Sequence, residues 1–324
     1  MTQFSVSVII CTVGRSTSLR QVMDSVSSWR STLQELIVVI GPTQDDTNTV
    51  LSEYKHLITQ TIVAECKNVS VARNLGLRAA SQEIVLYLDD DVIPSADWVE
   101  HHGRAHQEQG RRCGCVAGAV ADQTRPKAPL QFSRGVHTRM SRSRPVLSLE
   151  SEQRYLSSAG WFSGVMGANA SYKREALLQI GGFDEFFEYF LEETDVCLRL
   201  LEAGYTIHHI DCTVDHYVQP SHNRQDGRHL TCWYALAKNT TYFALKHGAS
   251  HCQDSLWFRM RLAGLLTYRC FLRILRLKLT HRLPNQVLQQ YLGEAIAGIR
   301  QGWRSGLQFH SAQPQPILSP RRDA

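Results

Sequence analysis

The sequence predicts an α/β fold with a mostly parallel central sheet, flanking helices and a helical C-terminal extension. In the first part of the chain, short apolar segments alternate with stretches of helical spacing, which is the pattern of βαβ units. The strand-like segments are uniformly apolar, as expected for a sheet covered by helices on both faces. Long stretches with helical spacing then occupy the C-terminal part of the chain.

The predicted elements follow one another in a regular order. The first four strands are residues 5–11, 36–40, 61–64 and 84–88, and the helices between them are residues 16–30, 47–57 and 68–80. A later helix from about residue 192 is expected to end at Gly204, because glycine readily adopts the left-handed backbone that terminates helices. Residues 205–218 are then predicted as a strand, and residues 229–247 and 254–302 as helices.

Residues 120–160 interrupt this pattern. Basic side chains occur there among Ser, Pro and Gly, with little periodicity. They are Arg125, Lys127, Arg134, Arg139, Arg142 and Arg144. We therefore expect a long, mobile basic loop.

The composition is that of an ordinary globular protein. Of the 324 residues, 43% are hydrophobic and 20% are charged, and the net charge is +5. This balance excludes wholesale disorder, collagen-like repeats and a polytopic membrane protein, and the basic excess is too small to indicate a nucleic-acid partner. The nine cysteines have no repeated spacing, and the N-terminus lacks the basic region of a secretory signal. We expect reduced thiols in a cytoplasmic protein.

Three consecutive aspartates, Asp89, Asp90 and Asp91, close the fourth predicted strand. Clustered carboxylates repel one another and lose hydration, and a divalent cation would remove that cost. Asp89 and Asp91 project to the same side of an extended backbone, and their oxygen atoms suit Mg²⁺ or Mn²⁺ shared with a diphosphate. The alternative is a polar turn, but ligands bind at the carboxyl ends of parallel strands, which favours a metal site.

A second acidic cluster opens the helix predicted from residue 192. Glu192, Glu193 and Asp195 stand in its first turn, where the helix dipole favours negative charge. Simple capping of the helix is one interpretation. The other is a general base, because a sugar hydroxyl is a weak nucleophile and a positioned carboxylate can accept its proton.

Taken together, the ordered motifs resemble those of family 2 glycosyltransferases of the GT-A fold. The resemblance covers about residues 5–220. The segments that carry it are Val6–Thr12, Asn68–Gly76, Leu86–Pro94, Gly167–Leu177, Gly181–Glu185 and Glu192–Asp195. It implies a Rossmann-like sheet and metal-dependent, inverting transfer of a sugar from a nucleotide-diphosphate donor to a hydroxyl acceptor, either a glycan or a lipid-linked glycan.

The resemblance also assigns roles to individual residues. Glu193 falls where the family's base usually stands, with Asp195 and Glu192 as the other candidates. Asp89, Asp91 and His216 would hold the cation. The remaining donor-side residues would be Thr12, Val13, Arg15, Arg73, Asn74, Asp90, Asn169 and Arg224. The end of the second strand departs from the family, because Ile40 replaces an Asp that contacts the nucleobase; Asp45 or Asp46 could substitute, and uracil is in doubt.

The resemblance divides the chain into four parts. Residues 1–110 would bind the nucleotide sugar, residues 111–228 would bind the acceptor and carry the base, residues 229–310 would form the helical extension, and residues 311–324 a loose tail. A nucleotidyltransferase of similar architecture and a non-catalytic sugar-nucleotide-binding protein are the alternatives. The first gives no obvious role to the acidic helix start.

The segment 254–282 combines Arg and Lys with bulky apolar residues, and no acidic residue occurs between Asp254 and Glu294. A basic helix of this kind suits the surface of an anionic membrane. Its apolar side chains could equally cover the catalytic domain. The expected location is therefore cytoplasmic, with peripheral contact on the cytoplasmic face of a membrane as one interpretation.

One further group of residues contains potential zinc ligands, namely His101, His102, His106, Cys113 and Cys115. Its spacing matches no standard zinc motif.

Overall fold

The computed structural model describes residues 4–125, 127, 130–219, 221, 224–225, 230–248, 256–281 and 283–311. Its first part alternates strands and helices as the sequence predicts, with ends that differ by a few residues. The elements are β1 (Val6–Thr12), α1 (Ser16–Trp29), β2 (Glu35–Ile40), α2 (Thr47–Glu53), β3 (Gln60–Val63), α3 (Val69–Ala79), β4 (Ile84–Asp89), β5 (Val92–Ile93) and α4 (Trp98–Gln109).

The middle of the chain contains more strands than the sequence predicts. Its elements are β6 (Cys113–Asp122), β7 (Leu130–Phe132), β8 (Arg134–Thr138), β9 (Ser143–Val146), α5 (Leu149–Leu156), β10 (Trp161–Gly164), β11 (Ala170–Lys173), α6 (Arg174–Gln179), α7 (Glu192–Glu202), β12 (Thr206–His216), β13 (Arg224–Gln225) and β14 (Leu230–Thr231). Helix α7 and strand β12 confirm the helix and strand predicted there.

The prediction of a loop over residues 120–160 is wrong for its described residues. Strands β8, β9 and β10 form a three-stranded antiparallel sheet, and α5 packs against it. Glu152 of α5 anchors this unit by accepting hydrogen bonds from Arg134 (2.7 Å) and from the Ser163 hydroxyl (2.6 Å). Arg142 and Arg144 face solvent. Their charge makes the segment look like a loop in the sequence, but it does not prevent the strands from pairing.

The main sheet has the order β3-β2-β1-β4-β11-β6-β12-β5, with β7 paired to β6. The pairs among β1, β2, β3 and β4 are parallel, as is the pair of β6 and β12, whereas β11 is antiparallel to both of its neighbours. The carboxyl ends of β1, β2, β4 and β12 therefore lie at one edge, together with the start of β11. This edge brings Thr12, Asp89, Gly167 and His216 into the same region.

The sheet is covered on both faces, as its uniformly apolar strands predict. Alternate residues of β1 point to opposite sides: Ile9 packs in one buried cluster with Tyr87 and Phe183, and Ile10 in the other with Trp29 and Trp98. This double layer fixes the strand ends from which the polar side chains project.

The C-terminal extension is helical, as predicted. It comprises α8 (Trp233–Gly248), α9 (Leu256–Leu266), a π-helical turn (Thr267–Leu272), α10 (Arg273–His281) and α11 (Asn285–Ser311). The prediction of one helix over 254–302 is wrong, because the chain breaks before α11 at Pro284, whose ring disfavours a helical conformation for the residue before it. None of the helices within the described ranges has both the length and the apolar character needed to span a bilayer.

Two glycines allow α11 to approach α8 closely. A Cβ atom on Gly298 would lie 2.3 Å from the Tyr234 carbonyl oxygen, and one on Gly302 would lie 2.3 Å from that of Lys238. Both distances are far shorter than any real contact. The bulk of a side chain at either position would push the two helices apart.

The histidines of α4 belong to a buried hydrogen-bond network. His102 Nδ1 and His106 Nε2 lie 2.7 and 2.9 Å from the Ser171 hydroxyl, and His102 Nε2 lies 3.0 Å from Asn169 Oδ1. Burial lowers the pKa of His102 to about 4 and that of His106 to about 3. Within the described ranges, no three His, Cys, Asp or Glu side chains are grouped to hold a metal ion, so these histidines have a structural role.

We predict that His106→Gln makes stability less dependent on pH. Between pH 6.5 and 4 the unfolded chain takes up a proton at His106 that the folded chain does not, so this contribution to stability is lost as the pH falls. The variant should reduce the slope of the unfolding free energy against pH by up to about 1.4 kcal/mol per pH unit, measured by denaturant titration. His101→Gln, on the exposed face of the same helix, is the matched control. An equal change of slope in both variants would contradict the prediction.

Candidate functional site

A cleft of about 1160 Å³ opens at the carboxyl edge of the main sheet. Its walls come from the ends of β1, β2 and β4, the start of α3, the segment before β11 and the start of α7. The two acidic clusters of the sequence both line it, through Asp89, Asp90 and Asp91 and through Glu192 and Glu193. The fold thus brings together carboxylates that are a hundred residues apart in the chain.

Two of the three aspartates are bound to the loop that follows β1. Asp90 accepts hydrogen bonds from the Thr12 hydroxyl and from Arg15 Nη1, both at 2.7 Å. Burial raises the pKa of Asp90 to about 6, although Arg15 opposes the shift. The same Arg15 nitrogen lies 3.0 Å from Asp91, so one guanidinium partly balances two buried carboxylates.

Asp91 also faces His216 at the end of β12. The distance from His216 Nε2 to Asp91 Oδ1 is 3.3 Å, and the Gln219 N–H donates to Asp91 Oδ2 (3.2 Å). Burial acts to raise the pKa of Asp91, but His216 and Arg15 together hold it below its ordinary value. Asp89, at 35% exposure of its side chain, is the most open of the three.

The pairing of His216 with Asp91 fits a cation site. On its other side, His216 Nδ1 lies 2.8 Å from Gln131 Oε1. Its Nε2 atom faces the carboxylate of Asp91. Asp91 and His216 are the pair that could bind a cation, although within the described ranges no third His, Cys, Asp or Glu side chain is grouped with them.

Arg73 connects the two acidic clusters. Its guanidinium is almost fully buried and lies 2.9 Å from Glu193, 3.4 Å from Glu192 and 3.7 Å from Asp89. The side chain of Asn68 caps α3 by accepting from two backbone N–H groups, which fixes the start of the helix that carries Arg73. A single cation therefore holds both acidic clusters at the cleft.

The turn that precedes α7 is strained. Phe190 and Leu191 have φ angles of 76° and 75°, a left-handed conformation that costs a non-glycine residue about 1–3 kcal/mol. Asn239 of α8 holds this turn by donating to the carbonyl oxygens of Tyr189 (2.6 Å) and Phe190 (2.9 Å). The C-terminal extension thus sets the direction in which Glu192 and Glu193 project. In the sequence, only its polarity within an apolar helix distinguishes Asn239.

The two glutamates differ in their surroundings. Glu192 is 4% exposed, and its Oε2 atom is buried without a hydrogen-bond partner; burial raises its pKa well above the ordinary value. Glu193 is more open and reaches the cleft beside Gly167. A Cβ atom on Gly167 would lie 2.0 Å from Glu193 Oε1, so only glycine leaves room for this carboxylate.

Asp195 does not line the cleft. It is fully buried and is bound by Arg199 (2.6 Å), Lys246 (2.7 Å) and His247 (2.7 Å). These contacts hold its pKa far below the ordinary value despite its burial. The prediction of Asp195 as a base is not supported, because the carboxylate faces the interior and joins α7 to α8.

The two asparagines predicted near the donor are also buried away from the cleft. Asn74 bonds the backbone N–H and carbonyl of Phe183 at 2.8 Å. Asn169 accepts from Trp98 Nε1 (2.9 Å) and donates to the carbonyl oxygens of Ala119 and Cys212. Neither amide lines the cleft; both stabilise backbone segments around it, and their roles toward the donor or acceptor stay predictions.

The other predicted donor residues divide into three cases. Thr12, Val13, Arg15 and Arg73 line the cleft. Asp45 lines it as well, but its carboxylate is occupied by the Ser16 N–H (2.8 Å) and by the hydroxyls of Thr43 and Thr47. The side chain of Arg224 lies outside the described residues, so its role stays a prediction.

The sequence did not predict that a residue of the C-terminal helices would line the cleft. Arg269 lines it, donates to the Ser141 hydroxyl (2.8 Å) and stacks on Phe190 with 5.4 Å between its guanidinium carbon and the ring centre. The sequence placed it among the basic residues of an amphipathic helix, and only the packing shows that it points inward.

Comparison with known families agrees with this geometry. Residues 7–181, more than half of the chain, match the family described as glycosyl transferase family 2. The chain belongs to this family. A second match, over residues 146–223, is to the family described as the N-terminal domain of galactosyltransferase.

Two curated relatives are recognisable by sequence. A glucosyl-dolichyl phosphate glucuronosyltransferase of Haloferax volcanii is 22% identical over 61% of this chain, and a pre-mycofactocin glycosyltransferase of Mycobacterium tuberculosis is 29% identical over 43% of it. The family 2 chain spans 63% of the length of the first relative and 27% of the second.

Two solved structures confirm the GT-A fold. GalNAc-T7 with UDP, GalNAc and Mn²⁺ superimposes with a TM-score of 0.57 over 81% of this chain and 55% of that one. The mannosyltransferase PcManGT from Pyrobaculum calidifontis with GDP-Man and Mn²⁺ gives 0.52 over 94% and 88%. Both are 16% identical to this chain.

We predict that Asp195→Asn destabilises the fold. The substitution leaves Arg199, Lys246 and His247 around a buried neutral group, which should cost about 3 kcal/mol or more, measured by denaturant unfolding. Glu202→Gln is the matched control, since Glu202 lies on the same helix in an exposed pair with Arg139 and should change stability by about 0.5 kcal/mol or less. Unchanged stability with lost activity in Asp195→Asn would instead return Asp195 to the list of bases.

Proposed function

We propose that this family 2 protein transfers a sugar from a nucleotide-diphosphate donor to a hydroxyl acceptor, with inversion at the anomeric carbon and with the help of a divalent cation. The observation that carries the proposal is the common cleft of the two acidic clusters, joined by Arg73. One cluster contributes Asp91 beside His216, which could bind a cation together with the diphosphate, and the other contributes the carboxylate of Glu193.

The cation side of the site would consist of Asp91, Asp89 and His216. Mn²⁺ or Mg²⁺ held there would neutralise charge on the diphosphate as the sugar departs. The two structural neighbours carry Mn²⁺ according to their descriptions, which supports a divalent cation. Arg15 partly neutralises the negative charge of Asp90 and Asp91 and would lie close to the nucleotide.

The base side of the site would be Glu193. Its carboxylate would accept the proton of the acceptor hydroxyl while that oxygen bonds to the anomeric carbon, and a single displacement inverts the centre. Arg73 orients Glu193 by a charge-assisted hydrogen bond (2.9 Å). Glu192 is buried beside the same guanidinium, at 3.4 Å, and would help to hold Arg73 in this position.

The donor nucleoside stays open. The end of β2 is Ile40, and the carboxylate of Asp45 is already bonded to its own loop, so neither offers a free acid to a uracil ring. One structural neighbour is described with UDP and the other with GDP-Man. A screen of uridine, guanosine and thymidine diphosphate sugars therefore belongs in the first experiment.

We propose a glycan or a lipid-linked glycan as the acceptor, at the cytoplasmic face of a membrane. By its name, the relative from Haloferax volcanii concerns a glucosyl-dolichyl phosphate, which supports the lipid-linked alternative. Arg269 of the C-terminal helices lines the cleft, which is compatible with it.

Glu193→Gln should keep donor binding and lose about 10²–10⁴-fold in transfer rate, because a neutral amide cannot accept the proton. Rate is measured as nucleoside diphosphate release in the presence of acceptor, and donor affinity by calorimetry. Glu188→Gln is the matched control, since Glu188 also lines the cleft but pairs with Lys238 (3.1 Å). Similar rates in the two variants would remove Glu193 as the base, and release of pyrophosphate in the wild type would indicate a nucleotidyltransferase.

Asp91→Ala should abolish the thermal stabilisation that Mn²⁺ and a nucleoside diphosphate produce together, because the carboxylate facing His216 is lost. The measurement is a thermal shift with Mn²⁺, the nucleotide and both, after circular dichroism has verified folding. Asp211→Ala removes an exposed carboxylate from the strand that carries His216 and should retain the wild-type shift. A normal shift in Asp91→Ala would contradict the assignment of this residue to the cation.

A further inference from the structure

The helical segment 256–281, formed by α9, the π-helical turn and α10, carries two apolar stripes on opposite sides. The inner stripe packs against the rest of the extension and is at most 5% exposed at every position. It consists of Phe258, Leu262, Leu266, Cys270 and Ile274. The outer stripe is 49–73% exposed. It consists of Leu256, Trp257, Met260, Tyr268, Leu272, Leu275 and Leu279.

The outer stripe is continuous because of the π-helical turn. Steps of four residues drift by about 40° per turn around an α-helix of 3.6 residues per turn. The turn over Thr267–Leu272 contains more residues per turn and rotates the next side chains back. The outer stripe consequently stays within about 120° of one face over a length of roughly 35 Å.

The charges around the outer stripe have one sign. Arg261 and Arg276 lie along one side of it and are exposed, as is Arg273. Arg261 covers the ring of Trp257 at 5.4 Å. No acidic residue occurs in the sequence between Asp254 and Glu294, so nothing in this stretch of sequence balances the arginines.

We propose that the outer stripe docks on the surface of an anionic lipid bilayer. Bulky apolar side chains bordered by arginine suit the boundary between headgroups and acyl chains, and anionic lipids supply the charge that this surface lacks. A second copy of the chain is a poorer partner, because a symmetric contact would bring arginine-bordered faces together. Of the apolar residues that the sequence left open between the two interpretations, the inner stripe covers the protein and the outer stripe is exposed.

Docking would bring the helix that carries Arg269 to the bilayer. Arg269 lines the cleft and stacks on Phe190, two residues before Glu192. If the proposed function holds, the outer stripe would keep the enzyme at the surface where a membrane-anchored acceptor lies. The docking itself does not depend on the activity.

The test is flotation of the full chain with vesicles, in the absence of donor. Phosphatidylcholine vesicles with about 30% phosphatidylglycerol should bind the protein about tenfold or more tightly than pure phosphatidylcholine, and added salt should weaken this binding. The double variant Leu272→Glu/Leu279→Glu should lose about tenfold or more of the affinity, because it places charge on the buried side of the contact. Equal binding to both kinds of vesicle, or none to either, would overturn the proposal.

The matched control is Leu147→Glu/Leu149→Glu, which changes two exposed leucines outside the extension and should bind like the wild type. If both double variants bind alike, the outer stripe is not the contact. Analytical ultracentrifugation without lipid tests whether a second copy of the chain binds the outer stripe instead. A dimer of the wild type that is lost only in Leu272→Glu/Leu279→Glu would assign the stripe to this second copy and overturn the proposal. Hydrolysis of the donor in solution, measured in parallel, reports on the transferase proposal separately from the lipid result.

Discussion

The buried guanidinium of Arg73 is the constraint on which the site depends. It lies within 4 Å of one carboxylate from the end of β4 and two from the start of α7, and the rings of Tyr87 and Phe183 lie on its faces. Bringing three carboxylates together away from bulk water without a cation would be strongly unfavourable. Arginine suits this position better than lysine, because its planar fork serves several acceptors at once.

The geometry of the base side comes from the far end of the chain. The left-handed turn at Phe190 and Leu191 is an unfavourable backbone conformation, and it persists because Asn239 bonds the two preceding carbonyl groups while Lys246 and His247 fix Asp195 one turn further along. Function in a family 2 fold is therefore supported by helices beyond the part that the family match covers. The extension is a structural component of the site.

The sequence predicted those features that depend on neighbouring residues. The βαβ order, the aspartates after β4 and the acidic start of α7 are all local patterns, and the structure has each of them. Glu193 and Asp195 could not be separated in this way, because they stand two positions apart on a helix and point to opposite sides. Only Lys246 and His247, fifty residues later, decide which carboxylate faces inward.

The remaining differences have the same origin. Asn74 and Asn169 have the polarity of site residues, but their amides satisfy buried backbone groups that no local pattern identifies. The sequence did not predict the small sheet of β8, β9 and β10, because exposed arginines dominate the composition of these segments. Their pairing with one another is not visible in any one segment. Arg269 looked like its exposed neighbours, since the side of a helix that faces the protein is set by its packing partners.

The close contact of α11 with α8 has a consequence for the order of assembly during synthesis. Residues 233–248 complete the turn before α7, yet they are covered by α11, whose Gly298 and Gly302 fit against their backbone. Residues 6–122, which form most of the main sheet, precede this cover in the chain by more than 150 residues. The turn before α7 therefore gains its full support only when the helix made after all the other described helices has packed against α8.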